Sequence, residues 1–377
     1  MDKLKVGLIF GGRSGEHEIS ILSAQGVMGA INQEKYEIVP IGITKDGRWL
    51  AAGDPMKALT SGEAAESNPA ALLAEPSQRG LIRLEERGRQ RALRAIQVSQ
   101  IDVAFPILHG PYGEAGTVQG LLELAGIPYV GAGVLASAVG MDKVVFKDVV
   151  RAHGLPVPAY AVLKRKGWEE DPAGGAARVE AEIGYPCFVK PANLGSSVGI
   201  TKAHNRAEVV LALTEAARYD RKLLVEAAID AREIEVSVLG NDEPIASLPG
   251  EIVPSNEFYD YAAKYIEQGS QVLIPAPIPP ETAERAQKLA IQAFLAIDCA
   301  GMARVDFLLD RLTGKLYLNE MNTIPGFTPI SAYSRMWEAS GVPYTELISR
   351  LIDLALERHA DKSRSITSYQ PAGKALP

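Results

Sequence analysis

GMARVDFLLDRLTGKLYLNEMNTIPGFT, residues 301–328, carries two apolar runs on either side of a turn at Leu312–Gly314, the pattern of a β-hairpin. With the register centred near Thr313, Asp306 falls opposite Glu320 and Arg304 opposite Asn322. Side chains two apart on a strand share a face, so these four polar groups point the same way. Asp306, Glu320 and the amide oxygen of Asn322 are hard oxygen ligands, the type that takes Mg²⁺ arriving with nucleotide phosphates. Without a cation the opposed carboxylates repel, and one is driven towards protonation. The alternative is an exposed face bearing an ordinary Arg–Asp–Glu network. Val305, Phe307, Leu309, Tyr317 and Leu318 weigh against it, because they describe a buried sheet in which such a cluster is costly.

Upstream, PCFVKPANLGSSVGI (186–200) ends a strand at Lys190 and enters a loop with Gly195, Ser196, Ser197 and Gly199. Glycines let backbone N–H groups approach phosphate oxygens, the serines add hydroxyl donors, and Lys190 adds a point charge. Such a loop also serves as a plain turn. No GxxxxGK[ST] occurs, and FGGRSGE after the first strand lacks the GxGxxG spacing of a dinucleotide fold.

The alternation around these segments predicts strands at Leu4–Phe10, Tyr36–Ile43 and Ile101–Leu108 with helices between, hence a parallel α/β sheet. Residues 45–100, with the Arg-rich tract Arg79–Arg94, read as loops and hairpins. A helix is predicted from Val134 to about His153, stopped by Gly154. Strands and helices then alternate to a final helix at Tyr344–Glu357, followed by a polar, mobile tail from Asp361. Three units are expected: 1–131, 132–230 and 231–360.

Composition sets the frame. Hydrophobic residues make up 47% and charged residues 23% of 377, an ordinary globular balance. The net charge of −7 and the absence of a long basic run argue against nucleic acid and anionic membranes as partners. Cys187 and Cys299 stand alone in apolar stretches and read as small buried hydrophobes. No secretory pattern or bilayer-length apolar run is present, so a cytoplasmic protein is expected.

Seven segments in order, GGRSGEHEIS, LHGPYGEAGTVQG, GMDK, FVKPANLGSSVGI, FYDYAAKY, GMARVDF and LNEMNTIPGFT, resemble the D-alanine–D-alanine ligases of the ATP-grasp superfamily over nearly the whole chain. PYGE (111–114) and PIS (329–331) are mild departures. The resemblance implies a three-domain fold, with ATP held between two antiparallel sheets. It implies that Glu16 holds the ammonium of the first D-alanine, with His109 and Glu114 in support. Lys143 and Lys190 meet ATP phosphates under the loop Gly195, Ser197, Val198 and Gly199. Glu226, Ala227, Ile229 and Glu233 hold adenine and ribose. Asp306, Glu320 and Asn322 hold two Mg²⁺ (or Mn²⁺), in agreement with the hairpin. Arg304 and the Gly326 N–H stabilise the oxyanion, and Lys264 and Ser331 grip the second D-alanine. Ser196 and Tyr265 complete a latch with Glu16, and Tyr265 implies a dipeptide rather than an ester product.

By the same resemblance, the first D-alanine is phosphorylated on its carboxylate and attacked by the amine of the second. The chain is expected to be a homodimer working in peptidoglycan precursor synthesis. A related ligase making a D-alanyl–D-lactate ester, a non-catalytic nucleotide-binding protein and a nicotinamide oxidoreductase are the alternatives.

Overall fold

The computed structural model describes residues 3–62, 69–77, 80–87, 92–195, 198–253 and 271–366. β1 (Leu4–Gly11) pairs in parallel with β2 (Tyr36–Ile43) on one side and β7 (Val103–Ile107) on the other. α1 (His17–Ala30) forms the crossover between β1 and β2. Every residue of β7 is buried, as a parallel strand covered on both faces requires. Gly11 closes β1 with φ of +90°, and a Cβ there would lie 2.2 Å from the Ile43 carbonyl oxygen. Only glycine turns the chain into α1 at that spot.

The predicted hairpins of 45–100 are not a separate layer. β3 (Trp49–Leu50), β4 (Ala70–Leu72), β5 (Gly80–Arg87) and β6 (Ala92–Gln100) extend the same sheet antiparallel from β2. The order is β6-β5-β4-β3-β2-β1-β7. A short helix, α2 (Pro55–Ser61), sits among them, with the Asp54 carboxylate accepting from the Lys57 N–H at 3.0 Å. α3 (Thr117–Leu124) follows β7.

The single helix predicted over 134–153 is two. α4 (Val134–Met141) ends at Asp142, whose backbone is extended and whose side chain accepts from the N–H groups of Val144 and Val145 to start α5 (Lys143–Ala152). A carboxylate that can cap a helix and pair with Lys222 gains more from breaking the helix than from continuing it.

A second sheet, order β10-β9-β11-β8, is wholly antiparallel. Its strands are β8 (Tyr160–Lys164), β9 (Cys187–Pro191), β10 (Thr201–Ala203) and β11 (Lys222–Ala227). α6 (Arg165–Glu170), α7 (Pro172–Glu182) and α8 (Arg206–Tyr219) accompany them, and Trp168, Val179, Cys187 and Leu213 share its core.

The third sheet runs β15-β14-β12-β16-β17, with β13 also on β12. These are β12 (Ala231–Gly240), β13 (Ile245–Ala246), β14 (Gly250–Val253), β15 (Gln271–Leu273), β16 (Gly301–Asp310) and β17 (Leu316–Asn322). α9 (Pro280–Ala296) packs on it through Ala286, Ala290 and Phe294. α10 (Ala332–Ala339) and α11 (Tyr344–Lys362) close the described chain. α11 returns to the first sheet, where Leu347, Ile348 and Leu351 join Val6, Leu8 and Phe105 in one core.

The β16–β17 register matches the sequence reading where it matters: Arg304 faces Asn322 and Asp306 faces Glu320. The next pair is Phe307 with Leu318, so Asn319 is left as a one-residue bulge.

Candidate active site

A cavity of about 1410 Å³ gathers side chains from β9, β11, β12, β16 and β17 and from the turn before α1. At its β16–β17 wall, the Arg304 guanidinium donates to both oxygens of Asp306, at 2.8 and 2.7 Å. It also lies 3.2 Å from Glu235. Burial alone would weaken its charge, but Asp306 and Glu235 outweigh it and hold Arg304 firmly protonated. The Asn322 amide donates to Asp306 Oδ2 at 3.0 Å, and Lys143 Nζ sits 3.0 Å from Glu320 Oε2.

Asp306, Glu320 and Asn322 offer only carboxylate and amide oxygens, a donor set that fits Mg²⁺ or Mn²⁺. Protein cations already stand against both carboxylates, marking positions where positive charge is favoured. Among the described residues no group of three His, Cys, Asp or Glu side chains could hold a metal, so a site here would draw its third protein donor from the Asn322 amide.

At the deeper wall of the cavity, one from inside and one from behind, two lysines meet one carboxylate. Glu226 Oε2 lies 2.5 Å from Lys190 Nζ, and Oε1 lies 2.7 Å from Lys147 Nζ. Burial would raise the Glu226 pKa, but the two ammoniums overcome it and hold the acid down at about 2. Lys190 also reaches Asn319 Oδ1 at 3.4 Å, so the bulge in β17 faces the lysines. Lys143 donates to the Leu194 carbonyl at 2.9 Å, tying α5 to the Gly195 loop.

At the opposite end, Glu16 lies against two loops at once. A Cβ on Gly110 or on Gly195 would come within 3.0 Å of Glu16 Oε2. Behind it, His109 and Glu114 grip the backbone of one residue. His109 Nδ1 faces the Ile324 carbonyl oxygen at 3.0 Å, and Glu114 accepts from the Ile324 N–H at 3.1 Å. Glu114 also accepts from the Gly110 N–H at 2.7 Å. A carbonyl can only accept, so Nδ1 carries the proton and Nε2 accepts from Ser23 Oγ at 3.3 Å. Ser23 Oγ in turn accepts from the Phe327 N–H at 3.3 Å. Burial keeps His109 below its ordinary value, in keeping with this neutral ring. Burial, with Glu16 close by, pushes Glu114 up to about 8. The pair thereby sets the loop that bears Gly326. Ser331 Oγ accepts from the Thr328 N–H at 3.0 Å on the same loop.

Of the residues singled out in the sequence, Glu16, His109, Glu114, Lys143, Lys190, Gly195, Glu226, Ala227, Ile229, Glu233, Arg304, Asp306, Glu320, Asn322, Gly326 and Ser331 line this one cavity. Val198 and Gly199 do not: Gly199, at φ of +72°, is packed against Pro191 and Tyr219. Ser196, Ser197, Lys264 and Tyr265 lie outside the described residues. Two participants were missed. Glu235 stands in the charged/apolar alternation Arg232–Leu239, which by itself signals only a strand. Lys147 is the second lysine, one turn after Lys143, in the apolar run KVVFK, where nothing in the sequence separates it from a side chain reaching for solvent.

The family model for the D-ala D-ala ligase N-terminus matches residues 5–132, and that for the C-terminus matches residues 149–353. The chain belongs to the D-alanine–D-alanine ligase family. Members similar to it include a D-alanine–D-alanine ligase of Thermoanaerobacter sp. (strain X514), 55% identical over 97% of this chain and 99% of that one. A D-alanine–D-alanine ligase of Heliobacterium modesticaldum is 51% identical over 98% of this chain and all of its own. Among solved structures, the D-alanine-D-alanine ligase from Coxiella burnetii aligns with a TM-score of 0.82 at 36% identity, covering 97% of each chain. The VanG D-Ala:D-Ser ligase from Enterococcus faecalis aligns equally well, with a TM-score of 0.82 at 36% identity over 94% of this chain and 100% of that one. These whole-length matches accord with the ATP-grasp arrangement of two antiparallel sheets beside an α/β sheet.

Proposed function

We propose that this chain, an ATP-dependent ligase of two D-alanine molecules in peptidoglycan precursor synthesis, works through an acyl phosphate formed in the cavity above. Adenine and ribose lie along Glu226, Ala227, Ile229 and Glu233, and the phosphates meet Lys143, Lys190 and the loop at Gly195 and Ser197, with Val198 and Gly199 outside the cavity lining. Asp306, Glu320 and Asn322 hold two Mg²⁺ (or Mn²⁺), which supply charge neutralisation for phosphoryl transfer when bound. Glu16 takes the ammonium of the first D-alanine, whose carboxylate oxygen attacks the γ-phosphorus of ATP and releases ADP. Lys264 and Ser331 orient the second D-alanine by its carboxylate. Its amine, after losing a proton, adds to the acyl carbon, and inorganic phosphate leaves. Arg304 and the Gly326 N–H receive the oxyanion at that step, with Gly326 kept in place by the His109–Glu114 grip on Ile324. Ser196 and Tyr265 complete the latch over Glu16 and keep water from the acyl phosphate; these two roles, with those of Ser197 and Lys264, rest on sequence motifs alone.

The observation that supports this reading best is the 3.0 Å approach of Lys143 to Glu320, which sets a phosphate-binding cation against a metal-binding carboxylate. The units involved are residues 1–131, 132–230 and 231–360. A cytoplasmic homodimer without nucleic-acid or membrane partners completes the proposal, with the homodimer resting on family resemblance. The net charge of −7 disfavours polyanions, and no helix among the described residues is long and apolar enough to cross a membrane.

The test uses D-alanine carrying ¹⁸O in its carboxylate. One labelled oxygen should appear in inorganic phosphate, with ADP, phosphate and dipeptide formed in equal amounts. AMP and pyrophosphate would overturn the acyl-phosphate route.

A further inference from the structure

Lys147 lies on α5 one turn beyond Lys143, is fully buried, and has no place in the roles above. Its ammonium is 2.7 Å from Glu226 Oε1 and donates to the carbonyl oxygens of Asn319, at 2.8 Å, and Leu318, at 3.4 Å. The other oxygen of the same carboxylate, Oε2, is 2.5 Å from Lys190. Each Glu226 oxygen therefore has its own lysine, but only Lys190 faces the cavity.

We infer that Lys147 is a positioning residue, the permanent counter-ion of Glu226, which allows Lys190 to leave that carboxylate for the phosphates of the nucleotide. A buried carboxylate stripped of its only cation carries the full desolvation penalty of a bare charge. If Lys190 were the sole partner of Glu226, each nucleotide bound through Lys190 would have to offset that penalty. With Lys147 in place, Glu226 stays neutralised and the trio keeps a net charge of +1, which Lys190 alone can carry into the cavity. Lys147 cannot follow it, because two carbonyls at the β17 bulge and the carboxylate hold its ammonium behind the cavity wall. The low pKa of Glu226 agrees with a carboxylate that remains ionised under two cations.

This inference rests on Lys190 meeting nucleotide phosphates, so the experiment separates the two. ADP and adenosine binding are measured by calorimetry on the full chain and on Lys147→Met, Lys147→Arg and Lys190→Met. Lys147→Met should weaken ADP at least about tenfold and leave adenosine within about twofold, because only ADP needs Lys190 released. Lys147→Arg, which keeps the charge, should hold both affinities. Unchanged ADP affinity in Lys147→Met, an equal loss of adenosine, or an ADP loss in Lys147→Arg as large as in Lys147→Met would each overturn the proposal. Should Lys147→Met not fold, Lys147→Gln gives the same comparison, since its amide can still donate to the carbonyls. Lys190→Met should also lose ADP and keep adenosine. If it retains ADP, the role of Lys190 and this inference fall together; if it loses ADP while Lys147→Met does not, only this inference falls.

Discussion

Arg304 holds Asp306, two residues along the same strand, by paired hydrogen bonds of 2.8 and 2.7 Å, one to each carboxylate oxygen. Asp306 Oδ2 also accepts from Asn322. A divalent cation at Asp306 would have to share oxygens that are already donated to, whereas Glu320, directly opposite, meets the flexible ammonium of Lys143. Glu320 is thus the carboxylate better able to turn towards an incoming ion, since an ammonium re-aims more freely than a planar guanidinium fork.

Glu320→Gln should retain the fold and lose turnover by several orders of magnitude, the scale of lost transition-state charge stabilisation (~3 to 5 kcal/mol). Steady-state rates across a magnesium titration measure it. Near-normal turnover at low magnesium would contradict the metal assignment.

Glu114 ties stability to pH. Its pKa rises from 4.5 to about 8 on folding, so the folded chain binds a proton that the unfolded chain releases between those values. The stabilisation is complete below about pH 4.5 and is lost as pH rises through about 8, with a slope of up to about 1.4 kcal/mol per pH unit. Glu114→Gln should be less stable at pH 5, having lost an acceptor, and should lose less between pH 5 and pH 8. Urea unfolding at the two pH values should show the gap narrowing by about 3 kcal/mol. An equal gap at both pH values would show that the proton resides elsewhere.

Asp142→Ala removes the cap of α5 and the partner of Lys222. A loss of about 1–2 kcal/mol in urea unfolding is expected. Because α5 carries Lys143, ATP should also bind more weakly, with the KM for D-alanine changing less. A stability loss that leaves the ATP KM untouched would mean that the cap does not aim the helix.

Gly301 opens β16 at φ of +73°, where a Cβ would stand 3.0 Å from the backbone of Gly131. Gly301→Ala should cost about 1–3 kcal/mol, read as a lower urea midpoint with an unchanged slope. A wild-type midpoint would mean that the two segments separate without penalty.

The hairpin was legible because period-two burial and a clear turn constrain register strongly. Its bulge was not, since nothing in the string LYLNEMN distinguishes Asn319 as the residue without a partner. The break at Asp142 was hidden by a helical pattern that is apolar on both sides of it. β3 and β4, two and three residues long, are too short to show a period, so the hairpins expected over 45–100 could not be joined to the first sheet from sequence. Lys147 needed coordinates, because a lysine in an apolar helix reads equally well as a side chain reaching for solvent.

The return of α11 to the first sheet has a consequence for synthesis on the ribosome. Leu347, Ile348, Leu351 and Ile352 belong to the same core as β1 and β7, and Arg358 donates to the carbonyl oxygens of Tyr129 and Gly131. Val6, Leu8 and Phe105 are translated more than two hundred residues before the helix that covers them. The emerging N-terminal half, where α1 covers only part of this core, therefore keeps an apolar face until α11 is made. A nascent polypeptide halted near residue 330 should engage holdase chaperones, and one halted after residue 366 has, once outside the exit tunnel, the helix that shields that face.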